Sequence, residues 1–152
     1  MKILFLHGME SRPGGSKVKF LESKGYEVLN PFLPKYSWDE SLENAQLLVD
    51  TEDPDVIIGS SRGGAVALNI NTLGTRLILI APAWKRFGGT PMLACGGVVI
   101  HCREDKVIPY EDSEELSKLT GAALITCGEN HRMSDSDALE AILDAVKWIA
   151  KQ

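Results

Sequence analysis

The sequence lacks the residues and segments that mark several classes of protein. Its three cysteines, Cys95, Cys102 and Cys127, have no metal-like spacing, so we expect free thiols in a reducing compartment. No stretch approaches the ~20 apolar residues of a membrane span, and the first apolar run is too short for a signal peptide. The net charge of −5 gives no reason to expect binding to nucleic acid or to an anionic membrane. These absences predict a cytoplasmic protein that binds no metal.

Apolar runs instead alternate regularly with helical patterns along the chain. Its 152 residues suit a single domain, 1–152. The runs fit strands that are buried on both faces, as in a parallel sheet, and they occupy residues 2–6, 26–29, 55–58, 76–81, 97–102 and 122–127. The pattern predicts an α/β protein, a three-layer αβα sandwich around a mainly parallel six-stranded sheet. The third predicted helix extends to about Leu73, and residues 82–91 are predicted as loop.

The segment Gly59-Ser60-Ser61-Arg62-Gly63 lies between a predicted strand and a run of small residues. A G-x-S-x-G sequence at a strand–turn–helix junction is typical of a nucleophile elbow. The strained turn crowds the backbone two residues before and after the serine, and glycine at both places has no Cβ that could clash. We therefore take Ser61 as the candidate nucleophile.

A serine hydroxyl needs a base to accept its proton, and the chain has three histidines. In folds with such an elbow the chain order is serine, acid, histidine. His7 precedes the serine, and His101 lies within or at the edge of a strand, before any candidate acid. His131 follows the last strand, so we predict that His131 is the base.

The acid that orients the base should follow the fifth strand, where Glu104 and Asp105 both occur. We favour Asp105, because the apolar Val107 and Pro109 that follow it would pack the turn against the sheet. Glu104 remains the alternative, and either carboxylate could instead be a solvated surface group.

Two backbone N–H groups are expected to form an oxyanion hole. Arg62 follows the nucleophile at a helix N-terminus, and Met9 lies in the loop after the first strand. In that loop Gly8 would let the backbone approach closely, and we interpret His7 as a structural brace.

The motifs and their order resemble those of the α/β-hydrolase superfamily. The shared motifs are Leu6-His7-Gly8, the elbow, an Asp-x-Val-x-Pro loop that begins at Asp105 and a Gly-x-x-His loop that ends at His131. The chain is most similar to the small lidless serine esterases, which also carry a segment like Pro31-Phe32-Leu33-Pro34. The resemblance implies a six-stranded sheet that lacks the superfamily's first two strands, and an open pocket with no cap.

Several large side chains are candidates for the substrate pocket. Trp38, Trp84, Phe87 and Met92 either line it or pack in the core. Arg62 is a large cation in a place where superfamily members often carry an apolar residue. With Arg12, Lys85 and Arg132 near the mouth it would favour an anionic substrate, and the alternative is a structural pair with a carboxylate such as Glu10.

The resemblance implies hydrolysis of a small-molecule carboxylic ester, or of a thioester, through a covalent acyl-serine intermediate and without a cofactor. Acyl transfer by the same triad is one alternative. A binding protein without catalytic activity on a hydrolase fold is the other.

Overall fold

The structure is a computed structural model that describes residues 1–88, 93 and 96–152. Strands and helices alternate in the described chain in this order: β1 (Lys2–Leu6), α1 (Ser16–Ser23), β2 (Glu27–Leu29), α2 (Trp38–Glu52), β3 (Val56–Ser60), α3 (Arg62–Asn69), β4 (Arg76–Ile80), α4 (Trp84–Phe87), β5 (Val98–His101), α5 (Tyr110–Thr120), β6 (Ala123–Thr126) and α6 (Ser136–Ala150). Among the described residues no helix has the length and apolar character that crossing a membrane requires.

The strands form one sheet in the order β2-β1-β3-β4-β5-β6. Each neighbouring pair is parallel, with Leu6 opposite Gly59 and Ser60 opposite Ile80 at the end where the elbow begins. Apolar residues of α1 and α6 pack on one face of the sheet, and those of α2, α3 and α5 pack on the other. The predicted three-layer α/β architecture with six strands is therefore confirmed for the described part of the chain.

Local sequence signals place several helix ends. The Ser37 side chain accepts a hydrogen bond from the Glu40 N–H at 3.2 Å, as the Ser-x-x-Glu pattern at the start of α2 predicts. The Asp135 side chain accepts one from the Ala138 N–H at 3.2 Å at the start of α6. Gly121 ends α5 with a φ of 76°, which glycine adopts without a Cβ clash.

Two predicted boundaries are wrong. Helix α3 ends at Asn69 rather than near Leu73, because Ile70 turns into an extended conformation with a φ of −109° and a ψ of 164°. Residues 84–87 form the short helix α4 instead of loop. Its first side chain, Trp84, is buried and donates from Nε1 to the Asp112 carbonyl at 2.9 Å, which ties α4 to α5.

The two cysteines that the structure describes are free thiols, Cys102 buried and Cys127 half-buried. Burial raises the pKa of both thiols above its ordinary value. The remaining cysteine, Cys95, and the pocket candidate Met92 lie outside the described residues.

Candidate active site

Ser61 lies at the sharp turn between β3 and α3, at the carboxyl end of the sheet. Its φ of 55° and ψ of −115° are strained for a residue with a side chain. A Cβ on Gly59 would lie 2.5 Å from the Gly63 carbonyl oxygen, and one on Gly63 would overlap the Leu6 carbonyl. The crowding on both sides of Ser61 is thus the crowding expected of the elbow.

The elbow also needs a third glycine that the pentapeptide does not include. A Cβ on Gly64 would lie 2.9 Å from the Pro82 Cβ, where α3 passes the loop after β4. A Cβ on Gly8, in contrast, would make an ordinary contact of 3.4 Å with the Ser61 Cβ. The close approach expected at Gly8 is therefore less demanding than the approach at Gly64.

The structure brings the three predicted catalytic side chains together. His131 Nε2 lies 2.9 Å from Ser61 Oγ, and His131 Nδ1 lies 2.7 Å from Asp105 Oδ2. The three residues come from the loops after β3, β5 and β6, whose carboxyl ends meet at one edge of the sheet. The Glu104 side chain is exposed, and Asp105 is the acid that contacts His131.

Each oxygen of the Asp105 carboxylate accepts two hydrogen bonds. Oδ1 accepts from the N–H groups of Val107 at 2.7 Å and Ile108 at 2.8 Å. Oδ2 accepts from His131 and from His101 Nε2, the latter at 2.9 Å. Burial alone would raise the pKa of Asp105, but the hydrogen bonds from Ile108, His131, Val107 and His101 together lower it. The carboxylate is therefore ionised at neutral pH, and both histidines donate to it.

The turn that holds Asp105 packs differently from the prediction. Val107 is 47% exposed and Pro109 is exposed, whereas Ile108 is 2% exposed and anchors the turn in the interior. The residue that packs the Asp105 turn against the interior is therefore Ile108, not the predicted Val107 and Pro109.

His101 is a member of this network that the sequence did not reveal. It is fully buried at the end of β5, and its Nδ1 lies 2.6 Å from the Oγ of the buried Ser113 in α5. Since Nε2–H donates to the ionised Asp105, Nδ1 accepts from the Ser113 hydroxyl. One sequence signal could have identified His101. It is the last residue of β5 and lies four residues before Asp105.

His7 braces the loop after β1, as the sequence indicated. Its Nδ1–H donates to the Gly8 carbonyl at 2.8 Å, and its Nε2 accepts from the Leu33 N–H at 3.0 Å. Burial, aided by the charge of Arg62, lowers the pKa of His7, although the bond to Gly8 acts in the opposite direction. The neutral ring connects this loop to the segment after β2.

A cavity of about 760 Å³ opens beside Ser61. His131, Met9 and Arg62 also border it, so the two predicted oxyanion donors lie on the same cavity as Ser61. Phe87 borders it too. The Phe87 ring is stacked on Trp38, with centroids 5.5 Å apart and planes at 7°.

The other two aromatic candidates do not border this cavity. Trp38 packs against Phe87 and the apolar core between the sheet and α2. Trp84 is buried in the same core and bonded to α5. Of the three aromatic residues expected at the pocket, Phe87 is therefore the one that borders this cavity, and Phe5 borders it as well.

The Arg62 side chain is buried, with 2% of its surface exposed. Its Nη2 donates to the Pro34 carbonyl at 3.1 Å and to Ser41 Oγ at 3.0 Å. Its guanidinium lies 5.4 Å from the Trp38 ring centroid and 5.7 Å from that of Phe87, within range of cation–π attraction.

No carboxylate pairs with Arg62 among the described residues. Glu10, the expected partner, lies 3.6 Å from Lys35, and Lys85 pairs with Asp112 and Glu115 of α5. The structural pair expected for Arg62 is therefore absent from the described part of the chain, and Lys85 is engaged elsewhere.

No protein-family model matches the chain, and no curated protein matches its sequence. Solved structures do match. The α/β-hydrolase domain-containing protein 10 from mouse has a TM-score of 0.78 at 14% identity, with 99% of this chain and 89% of that one covered.

Two further structures are similar over most of their length. MGS-MChE2, an α/β-hydrolase enzyme from the metagenome of sediments of the Mar Chica lagoon in Morocco, has a TM-score of 0.75 at 19% identity, covering 99% of this chain and 91% of that one. The esterase domain of a Rhodothermus marinus protein has a TM-score of 0.68 at 19% identity, covering 96% and 83%. With its elbow at the carboxyl edge of a parallel sheet, the chain has the α/β-hydrolase fold.

Proposed function

We propose that the protein is a serine hydrolase that cleaves small-molecule carboxylic esters, or thioesters, through an acyl-enzyme intermediate. The observation that carries the proposal is the continuous hydrogen-bonded chain from Ser61 Oγ through His131 to the buried Asp105. A hydroxyl, an imidazole and an ionised carboxylate in this arrangement form a catalytic triad.

Acylation begins with Ser61 at the strained elbow. His131 Nε2 accepts the hydroxyl proton from 2.9 Å while Ser61 Oγ forms a bond to the ester carbonyl carbon. Asp105 holds His131 in the tautomer whose Nδ1 carries hydrogen, and its negative charge stabilises the imidazolium that results.

Negative charge then develops on the former carbonyl oxygen. The N–H groups of Met9 and Arg62 are the proposed donors to it, because both residues border the cavity beside Ser61. Arg62 is the first residue of α3, so its N–H belongs to a helix N-terminus, where negative charge is favoured.

The tetrahedral intermediate collapses when its bond to the alcohol oxygen breaks and His131 donates a proton to that oxygen. Water next gives a proton to His131 and attacks the acyl carbon, and Ser61 leaves with the proton returned. If an alcohol replaces water in this step, the same residues perform acyl transfer, and product analysis in the presence of an added alcohol separates the two reactions.

A catalytic role is favoured over a role in binding alone by the strain at Ser61, since positive φ at a non-glycine residue is costly to maintain. The similarity to an esterase domain from Rhodothermus marinus supports esters as the substrate class. The free thiols of Cys102 and Cys127 support a cytoplasmic location.

Turnover of a panel of 4-nitrophenyl esters tests the proposal. We expect hydrolysis by the wild-type protein and none above background by Ser61→Ala. The matched control is Ser60→Ala, which alters the neighbouring serine of the elbow. Equal turnover by the wild-type and Ser61→Ala proteins would remove Ser61 from its role.

A further inference from the structure

The cavity beside Ser61 is lined by positive charge although the chain as a whole is acidic. Its lining includes four cations that we call the basic rim: Arg12, Lys17, Arg86 and Arg132. The chain carries a net charge of −5, so this concentration does not follow from composition. The lining acid is Glu10, and it lies 3.6 Å from Lys35.

The cations of the basic rim stay unpaired within the part of the chain that the structure describes. None of the four side chains forms an ion pair within the described residues, whereas Lys2, Lys35 and Lys85 do. Arg86 donates from Nη2 to the Val107 carbonyl at 3.0 Å, which fixes its direction without neutralising it. The buried Arg62 also borders the cavity, and its Nε and Nη1 have no acceptor among the described residues.

Two segments distant in sequence meet at Lys17. Its Nζ lies 3.5 Å from Ser134 Oγ, and Ser16 Oγ lies 3.2 Å from the same atom. Burial, followed by the charge of Arg132, lowers the pKa of Lys17 to about 8. The protein therefore holds two cations and two hydroxyl groups together at the cost of desolvation and repulsion, which an anion placed between them would relieve.

We infer that the basic rim binds an anionic group, a carboxylate or a phosphate, carried by the ester that Ser61 cleaves. The inference rests on the proposed function and names its substrate class. The cavity of about 760 Å³ lies within the usual size range of small-molecule sites, so the anion and the scissile ester can belong to one small molecule. Charge-assisted hydrogen bonds from Lys17, Arg132 and the serine hydroxyls would hold the anion.

The first test compares matched charged and neutral esters. In the first pair, 4-nitrophenyl hemisuccinate carries a carboxylate on its acyl group and 4-nitrophenyl butyrate is the neutral counterpart. In the second pair, 4-acetoxybenzoate carries a carboxylate on its alcohol group and its methyl ester is the neutral counterpart. In one of the two pairs the wild-type kcat/KM should favour the charged ester. Lys17→Met should reduce that charged-to-neutral ratio by roughly tenfold, since one direct charge contact is lost.

Lys19→Met is the matched control, because Lys19 is an exposed lysine of the same helix that does not line the cavity. It should leave the ratio unchanged. Arg132→Gln, which alters an exposed loop residue, should reduce the ratio as Lys17→Met does. A ratio that is the same in the wild-type, Lys17→Met and Arg132→Gln proteins would overturn the inference.

A second readout does not depend on catalysis. Binding of succinate and of inorganic phosphate to Ser61→Ala is measured by calorimetry, with and without Lys17→Met. Binding that Lys17→Met abolishes and Lys19→Met preserves supports the basic rim even if no ester is cleaved, in which case the proposed function alone fails. Hydrolysis that depends on Ser61, with no charge preference and no anion binding, leaves the proposed function standing and overturns the inference.

Discussion

The acid–base network and the basic rim meet at one cavity but differ in how their polar groups are satisfied. In the network of Asp105, His101, His131 and Ser61, each carboxylate oxygen has two donors. In the basic rim, no cation has an ion-pair partner among the described residues. A network in which every polar group already has a hydrogen-bond partner can hold reacting groups in position. Cations without an ion-pair partner can instead bind a ligand of negative charge. Substitutions should therefore affect the two regions in opposite ways.

The largest expected effect comes from Asp105→Asn in the network. The asparagine amide has one oxygen, so it cannot accept all four hydrogen bonds that the two Asp105 oxygens accept. If its NH₂ group faces His131, the His131 ring should adopt the tautomer whose Nδ1 carries no hydrogen. We expect kcat for a 4-nitrophenyl ester to fall by about 10⁴-fold. Glu104→Gln is the matched control and should change kcat little. A large loss in Glu104→Gln with activity retained in Asp105→Asn would exchange their roles.

A smaller effect is expected from His101, for which we propose a positioning role through its hydrogen bond to Asp105. His101→Phe removes one donor to Asp105, and we expect a roughly tenfold lower kcat with KM nearly unchanged. The pKa of Asp105 should rise toward its ordinary value, because one of the hydrogen bonds that stabilise the ionised carboxylate is lost. His101→Gln keeps an amide donor and should lie closer to the wild-type protein. A kcat and an Asp105 pKa, the latter followed by carboxyl NMR, that are both unchanged in His101→Phe would leave His101 with a packing role only.

The smallest expected effect comes from Lys17→Met in the basic rim. Unlike the substitutions in the acid–base network, it should have a favourable effect, a gain in the stability of the folded protein. The pKa of Lys17 is lower in the folded protein, about 8, than its ordinary value of 10.5. The charged form is thus disfavoured by folding, and this penalty is complete below about pH 8 and is lost as the pH rises toward the unfolded value. Lys17→Met should raise Tm by about 2–6 °C at pH 7, and by less at pH 10.

In the stability measurement Lys19→Met should leave Tm unchanged, since its side chain is exposed. The charged groups around Lys17 include Arg132 and Arg12 of the same cavity, and both stay positive across this pH range. A lower Tm for Lys17→Met at pH 7 would indicate that Lys17 is a stabilising structural residue rather than part of an open anion site.

The fold could be predicted because parallel strands buried on both faces appear in sequence as continuous apolar runs. A helix end can be predicted where one side chain determines it, as Ser37 determines the start of α2. Where tertiary contacts determine the end of a helix, the predicted end is wrong. Helix α3 ends at Asn69, whose side chain donates to the carbonyls of Ala65 and Gly88, and no proline or glycine marks that end before Gly74.

The meeting of Ser61, Asp105 and His131 follows from chain order and from the shared edge of the sheet, and their catalytic roles stay a prediction. What could not be predicted depends on contacts between distant segments. Arg62 lies beside the stacked rings of Trp38 and Phe87 because α2 and α4 pack over the elbow. Lys17 enters the cavity because α1 meets the loop before α6. Neither contact has a signature in the local sequence.

The most direct test of the central claim is covalent labelling of Ser61. A fluorophosphonate probe is added to the wild-type, Ser61→Ala and Ser60→Ala proteins, and the intact mass and the labelled peptide are measured. We expect one adduct, located on Ser61, in the wild-type and Ser60→Ala proteins and none in Ser61→Ala. An adduct that persists in Ser61→Ala, or a wild-type protein that takes up no probe, would contradict the account.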